Sequence, residues 1–177
     1  AGKFIYADAA RREFVQPVLE QVDAVCMLGD IPSFNGAMPP EQLLATNTAI
    51  GACVLQTAAD LKLKRVIYTS TCQVYGAWGW PMVPPAYFPI DEAMPLRPQN
   101  CYSASKVAVE NYARMLAEQP AMSIAAFRFP SVTFGDGVYR APNWFRGRPM
   151  DGFGTFLHVS DAARAYVLER KLLEPGF

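Results

Sequence analysis

Histidine occurs once in the 177 residues, at His158. The four cysteines, Cys26, Cys53, Cys72 and Cys101, form no C-x-x-C pair. No metal site is therefore predicted, and a reduced cytosolic protein is the simplest account. Neither sign of charge is in surplus: sixteen basic residues balance sixteen acidic ones. That removes the overall electrostatic footprint expected of a nucleic-acid binder or of a protein held to an anionic membrane. No apolar run reaches the roughly 18 residues a bilayer span needs. The opening stretch, "AGKFIYADAARR", lacks the layout of a signal peptide. Internal repeats, low-complexity tracts and linkers are missing too, so residues 1–177 are expected to form a single domain. What is present is apolar: 51% of the residues are hydrophobic and 18% are charged. That suits one packed domain.

Short apolar runs mark the strands. "KFIYA" (3–7), "DAVCML" (23–28) and "RVIYTS" (65–70) are predicted strands, the later two buried on both faces. "SIAAFRF" (123–129) is a fourth. Between them lie helical stretches at 10–22, 39–61, 102–118 and 160–173. The second opens on prolines, which suit a helix start, and Ser160 or Asp161 is expected to cap the last. Strands alternating with helices predict an α/β domain: a Rossmann-like parallel sheet with helices on both faces. Two irregular stretches, 76–100 and 135–154, break the pattern. The first carries six prolines and two tryptophans, and long irregular segments inside compact domains are often functional.

The chemistry centres on "NCYSASKVAVEN" (100–111). Tyr102 and Lys106 are one helical turn apart and so share a face. A phenol, with a pKa near ~10, is a poor base at neutral pH. An ammonium roughly 5 Å away, at an effective dielectric of about 20, favours the phenolate by roughly 3 kcal/mol. That predicts a shift of about 2 pK units, towards ~8, and a tuned acid/base. The spacing alone is weak: with eight tyrosines and five lysines, chance supplies about 0.2 such pairs. Upstream, "RVIYTSTCQVYG" runs from a buried strand into a turn ending at Gly76. Ligands of parallel sheets sit beyond the carboxyl ends of strands. Thr69, Ser70, Thr71 and Cys72 lie there. The three hydroxyls among them either meet a substrate oxygen near Tyr102 or satisfy backbone groups at a strand end.

"YTSTCQVYG", "PIDEAMPLRPQNCYSASKVAVEN" and "FLHVSDAARAYVLE", in that order, closely resemble the extended short-chain dehydrogenase/reductase family. This is the branch of NAD-dependent epimerases and dehydratases acting on nucleotide-sugars. "QVDAVCMLGD" (21–30) is similar to a further segment of that family, and the resemblance covers nearly the whole chain. It implies an NAD- or NADP-dependent epimerase, dehydratase or reductase with hydride transfer at a nucleotide-sugar or related hydroxyl or carbonyl. Carried over by position, Tyr102 is the acid/base, Lys106 lowers its pKa and holds the nicotinamide ribose, and Thr71 is the catalytic hydroxyl. Asp8 is implied to contact adenine, Leu28 and Gly29 to lie along the cofactor, Asn47 to sit near the active site, and Pro130 to reach the nicotinamide. His158 falls in the family's "HV" motif as a structural residue. Stretches 76–100 and 135–154 become substrate-side loops, where Arg140, Arg146 and Arg148 suit a phosphate. Helices 39–61 and 102–118 are the implied homodimer surface.

The chain departs from that pattern. It carries no G-x-x-G-x-x-G turn, whose glycines let a helix N-terminus approach a pyrophosphate. "KFIYA" corresponds to the family's third strand, so the first two strands and their helices have no counterpart, and the C-terminal end is short. Either the 177 residues are part of a longer chain, or "KFIYA" pairs directly beside "DAVCML". Cofactor affinity from these residues alone should be poor. Asp30 stands where the family has a small residue, adding charge, and Met27 replaces a common histidine. A second reading follows: a non-catalytic binding or dimerisation module that has lost the pyrophosphate cradle.

Overall fold

The computed structural model describes residues 2–32, 38–77, 83–118, 122–134 and 156–172. Its elements run α1 (Arg12–Leu19), β1 (Ala24–Met27), α2 (Pro40–Asp60), β2 (Arg65–Thr71), a 3-10 turn (Cys72–Tyr75), α3 (Cys101–Ala117), β3 (Ser123–Phe129), β4 (Ser131–Thr133), β5 (Phe156–His158) and α4 (Val159–Leu172). The main sheet has the order β1-β2-β3, all parallel. Short β4 and β5 pair parallel in a second sheet.

The main sheet is covered on both faces. On one side Val66 and Tyr68 of β2 pack with Val54, Leu55 and Ala58 of α2, Val109, Ala113 and Leu116 of α3, and Val15 and Leu19 of α1. On the other side Tyr166 of α4 stands edge-on to Phe127 and Phe129 and shares a hydrogen bond with Thr69. Each fully buried aliphatic or aromatic side chain contributes about 1.5–3 kcal/mol of transfer free energy. The α2–α3 seam is close because residue 51 is glycine: a Cβ there would lie 2.7 Å from Val109 Cγ1 and nearer still to Cγ2.

Two strand expectations need correction. "KFIYA" forms no ladder, and Phe4 is 88% and Tyr6 95% exposed. Among the described residues β1 pairs only with β2, so residues 3–7 lack a partner strand there and leave their polar backbone to water. Pairing of "KFIYA" beside "DAVCML" is thereby ruled out. Nor is β1 buried on both faces, because Cys26 is exposed. The sheet's edge position explains that. The α4 cap also differs: the helix starts at Val159, so Ser160 and Asp161 lie in its first turn. His158 Nδ1 accepts the Ser160 N–H at 3.3 Å and pairs with Ser160 Oγ at 2.7 Å.

The irregular stretch before α3 is anchored where it is described. Val74, Tyr75 and Met94 form a small core with Ile90, Leu96 and Val107. Arg97 N–H donates to the Val74 carbonyl at 2.8 Å. Gly76 turns the chain with φ +84°, and a Cβ there would meet the Arg97 carbonyl at 2.6 Å. The stretch 135–154, with Arg140, Arg146 and Arg148, lies outside the described residues.

Candidate active site

The first turn of α3 is fixed from its sequence. Asn100 Oδ1 accepts the Ser103 N–H at 2.8 Å, and Ser103 Oγ accepts the Asn100 N–H at 3.3 Å, a reciprocal cap. Asn100 Nδ2 also donates to Gln73 Oε1 at 3.3 Å. This ties the start of α3 to the turn that follows β2. Tyr102 and Lys106 project from that first turn and a half.

Lys106 is 2% exposed. Its ammonium donates to the carbonyl of Thr69, at the carboxyl end of β2, at 2.6 Å. It stands 4.9 Å from the ring centroid of Tyr68 and 5.5 Å from that of Tyr102. The tyrosine–lysine pair therefore meets the strand end that bears the hydroxyls. Lys106 also forms a buried ion pair with Asp30, in the loop after β1. Burial pushes the Asp30 carboxyl up and the Lys106 ammonium down, and each charge offsets part of the other's penalty.

The Tyr102 phenol does not behave as the spacing predicts. It is pushed up to about 12, first by burial, then by the Asp30 charge and by Cys72. The expected shift towards 8 assumed a phenol open to water beside an unopposed ammonium, whereas here the phenol is buried and a carboxylate neutralises the lysine. Burial also pushes the Cys72 thiol up to about 12 and raises the Tyr68 phenol. The Tyr68 hydroxyl is buried without a hydrogen-bond partner among the described residues.

Each strand-end hydroxyl has a partner within the fold. Thr71 Oγ1 accepts the Gln73 N–H at 3.3 Å, capping the 3-10 turn. Ser70 Oγ donates to Glu110 Oε1 at 2.5 Å. Glu110 in turn binds Arg128, whose Nη2 lies 2.7 Å from Oε2 and whose Nη1 donates to Tyr75 Oη at 2.7 Å. The sequence did not flag this Ser70–Glu110–Arg128–Tyr75 network.

The other candidates fall in different places. Asn47, 1% exposed, spends its amide on one residue: its Oδ1 accepts the Ile31 N–H and its Nδ2 donates to the Ile31 carbonyl, both at 2.9 Å. It shapes the loop that carries Asp30. Asp8 is exposed and its carboxylate accepts the Ala10 N–H at 2.9 Å, ahead of α1. Leu28 is 63% exposed, and Gly29 has open space where a Cβ would stand. Both line an apolar groove of about 410 Å³ with Ile5, Phe14, Val25 and Ile50. Pro130 instead lines a groove of about 700 Å³ along β3, with Cys72, Tyr75, Glu110 and Arg128. Neither Tyr102 nor Lys106 lines either groove. No group of three or more potential metal ligands occurs among the described residues.

A parallel sheet flanked by helices, with Tyr-x-x-x-Lys at the carboxyl end of its central strand, defines the short-chain dehydrogenase/reductase class. Within it the chain belongs to the NAD dependent epimerase/dehydratase family, whose model matches residues 1–143. It is 32% identical over 114 residues to a UDP-glucose 4-epimerase of Streptococcus mutans, covering 62% of this chain and 32% of the relative. A UDP-glucose 4-epimerase of Azospirillum brasilense is 27% identical, over 99% of this chain and 58% of its own. Among solved structures, a UDP-glucose 4-epimerase superposes with a TM-score of 0.78 at 21% identity, over 99% of this chain and 60% of that one. The Bordetella bronchiseptica enzyme WbmH, in complex with NAD+, gives 0.71 at 24% identity, over 94% and 55%. The structural likenesses speak for the fold. The chain spans a third to three fifths of the length of these curated relatives.

Proposed function

We propose that this chain carries the acid/base centre of an NAD-dependent epimerase or dehydratase acting on a nucleotide-sugar. The observation that carries the reading is the seat of Lys106 on the Thr69 carbonyl, with Tyr102 on the same helical face. The names of the relatives, UDP-glucose 4-epimerases, support the substrate class.

The residues present fit one end of a dinucleotide. Leu28 and Gly29 leave open, apolar space beyond β1, and Tyr102 and Lys106 offer hydrogen bonding beyond β2. The glycine turn that would cradle a pyrophosphate is not among these residues. When bound, NAD supplies a hydride acceptor and donor. The protein's own share is the proton: the ionised form of Tyr102, the phenolate, takes it from the sugar hydroxyl, the phenol so formed returns it, and the Thr71 hydroxyl orients the same oxygen. Lys106 sets the charge beneath the phenol. Asp8 is assigned to the adenine end, Asn47 to holding the loop after β1, and Pro130 to the nicotinamide side. A homodimer through α2 and α3 and a cytoplasmic site of action complete the reading. The chain is one NAD-binding unit, with the described part of 76–100 on the substrate side.

The test is C4 inversion of UDP-hexoses by the intact protein with NAD, followed by NMR. Tyr102→Phe should lower turnover by about 10²–10⁴-fold while the fold, read by circular dichroism, persists. Undiminished turnover in Tyr102→Phe would defeat the mechanism. The non-catalytic reading is favoured by one observation, the Asp30 carboxylate that neutralises Lys106 beside the Tyr102 ring. No thermal shift of the intact protein with NAD or NADP is its expected result.

A further inference from the structure

We propose that Asp30 is a positioning residue that holds the Lys106 ammonium in a closed ion pair and so keeps the Tyr102 phenol protonated. Its role in turnover rests on the function proposed above; its effect on the phenol does not.

The pair is built into the fold. Asp30's side chain is 7% exposed and that of Lys106 2%. The loop bearing Asp30 is clamped one residue further on by both arms of the buried Asn47 amide. An ammonium has three N–H donors. One goes to Asp30 and another to the Thr69 carbonyl. The Lys106 charge thus meets a full counter-charge before it reaches Tyr102, whose ring centre is 5.5 Å away. An unopposed ammonium at about that distance would raise the ionisation constant of a phenol roughly 100-fold, and a carboxylate beside it cancels most of this.

The other groups facing the pair do not restore the lost charge. From β2 come the Tyr68 ring and the Thr69 carbonyl. The 3-10 turn contributes the Cys72 thiol, held neutral by burial. On α3, Glu110 adds a negative charge, but Arg128 compensates it at 2.7 Å. Asp30 is therefore the group whose removal changes the field at Tyr102 most.

The measurement is titration of the Tyr102 phenol by NMR on protein labelled with ¹³C at tyrosine Cζ, the resonance being assigned with Tyr102→Phe. In the unsubstituted protein the phenol should stay protonated through pH 10. In Asp30→Ala its midpoint should fall by at least one unit, a tenfold or greater rise in ionisation. Asp30→Asn keeps the shape of the side chain without its charge and should do the same if Asp30→Ala folds poorly. Adding Lys106→Met to either variant should reverse the fall, which a merely structural role for Asp30 would not produce. A midpoint unmoved in the Asp30 variants, or already below 10 in the unsubstituted protein, overturns the proposal. The two readings fail separately. A moved midpoint without turnover in any variant leaves the role of Asp30 standing and removes the epimerase reading. An unmoved midpoint with turnover lost in Tyr102→Phe does the reverse.

Discussion

Lys106 and Asp30 lie 76 positions apart in sequence, and each buried charge faces the other. Removing one partner of a buried pair typically costs about 3–5 kcal/mol, since the remaining charge loses both water and counter-ion. Lys106→Ala should therefore destabilise the protein by about that amount in urea unfolding, and Asp30→Ala with Lys106→Ala should recover much of the loss. A double variant no more stable than Lys106→Ala would mean that the pair is not the source. Alkaline stability has a definite sign. The Tyr102 phenol and the Cys72 thiol are both held up at about 12 by burial, above the ordinary values near ~10 and ~8.5. Raised values stabilise the fold fully below the unfolded values, and the gain is lost as pH climbs to about 12. Unfolding free energy should fall between about pH 8.5 and 12, and Tyr102→Phe should flatten the part above 10. At this scale the sequence disclosed the pairing of Tyr102 with Lys106, because a four-residue spacing is local. It showed the added charge of Asp30 but not that Lys106 is its partner.

Helices α2, α3 and α4 fall within a residue or so of the stretches expected from periodicity, and β2 and β3 match their apolar runs. Those elements carry their own signals: prolines opening α2, Asn100 before α3, β-branched and aromatic runs in β2. "KFIYA" carries the same strand signal and forms none, because a strand exists only beside another. Two element-level predictions follow from seams. Gly51→Ala drives a methyl into Val109 and should cost about 1–3 kcal/mol. Val109→Ala added to it should restore part of that loss, as read by thermal or urea unfolding. Asn100→Ala removes the cap of α3 and should cost about 1 kcal/mol. Because the cap also holds Gln73, it should lower any turnover more than its stability cost suggests.

The whole molecule leaves apolar surface uncovered. Leu44 on α2 and Met115 on α3 are 38% and 50% exposed, compatible with the dimer proposed through these helices. Sedimentation should find a dimer that Leu44→Glu with Met115→Glu converts to a monomer; a dimer unchanged by both places the contact elsewhere. No described helix is long and apolar enough to cross a membrane. By itself the sequence determined the α/β class, the alternation of helices and strands from α1 to β3 and the Tyr102–Lys106 pairing, since each is written in local periodicity or in spacing along one helix. Only the tertiary structure decided that "KFIYA" stands unpaired, that Ser70 belongs to Glu110 and Arg128, and that Asp30 meets Lys106. Those outcomes depend on which segments the chain brings side by side, and burial makes each such contact cost or contribute free energy that no stretch of sequence contains.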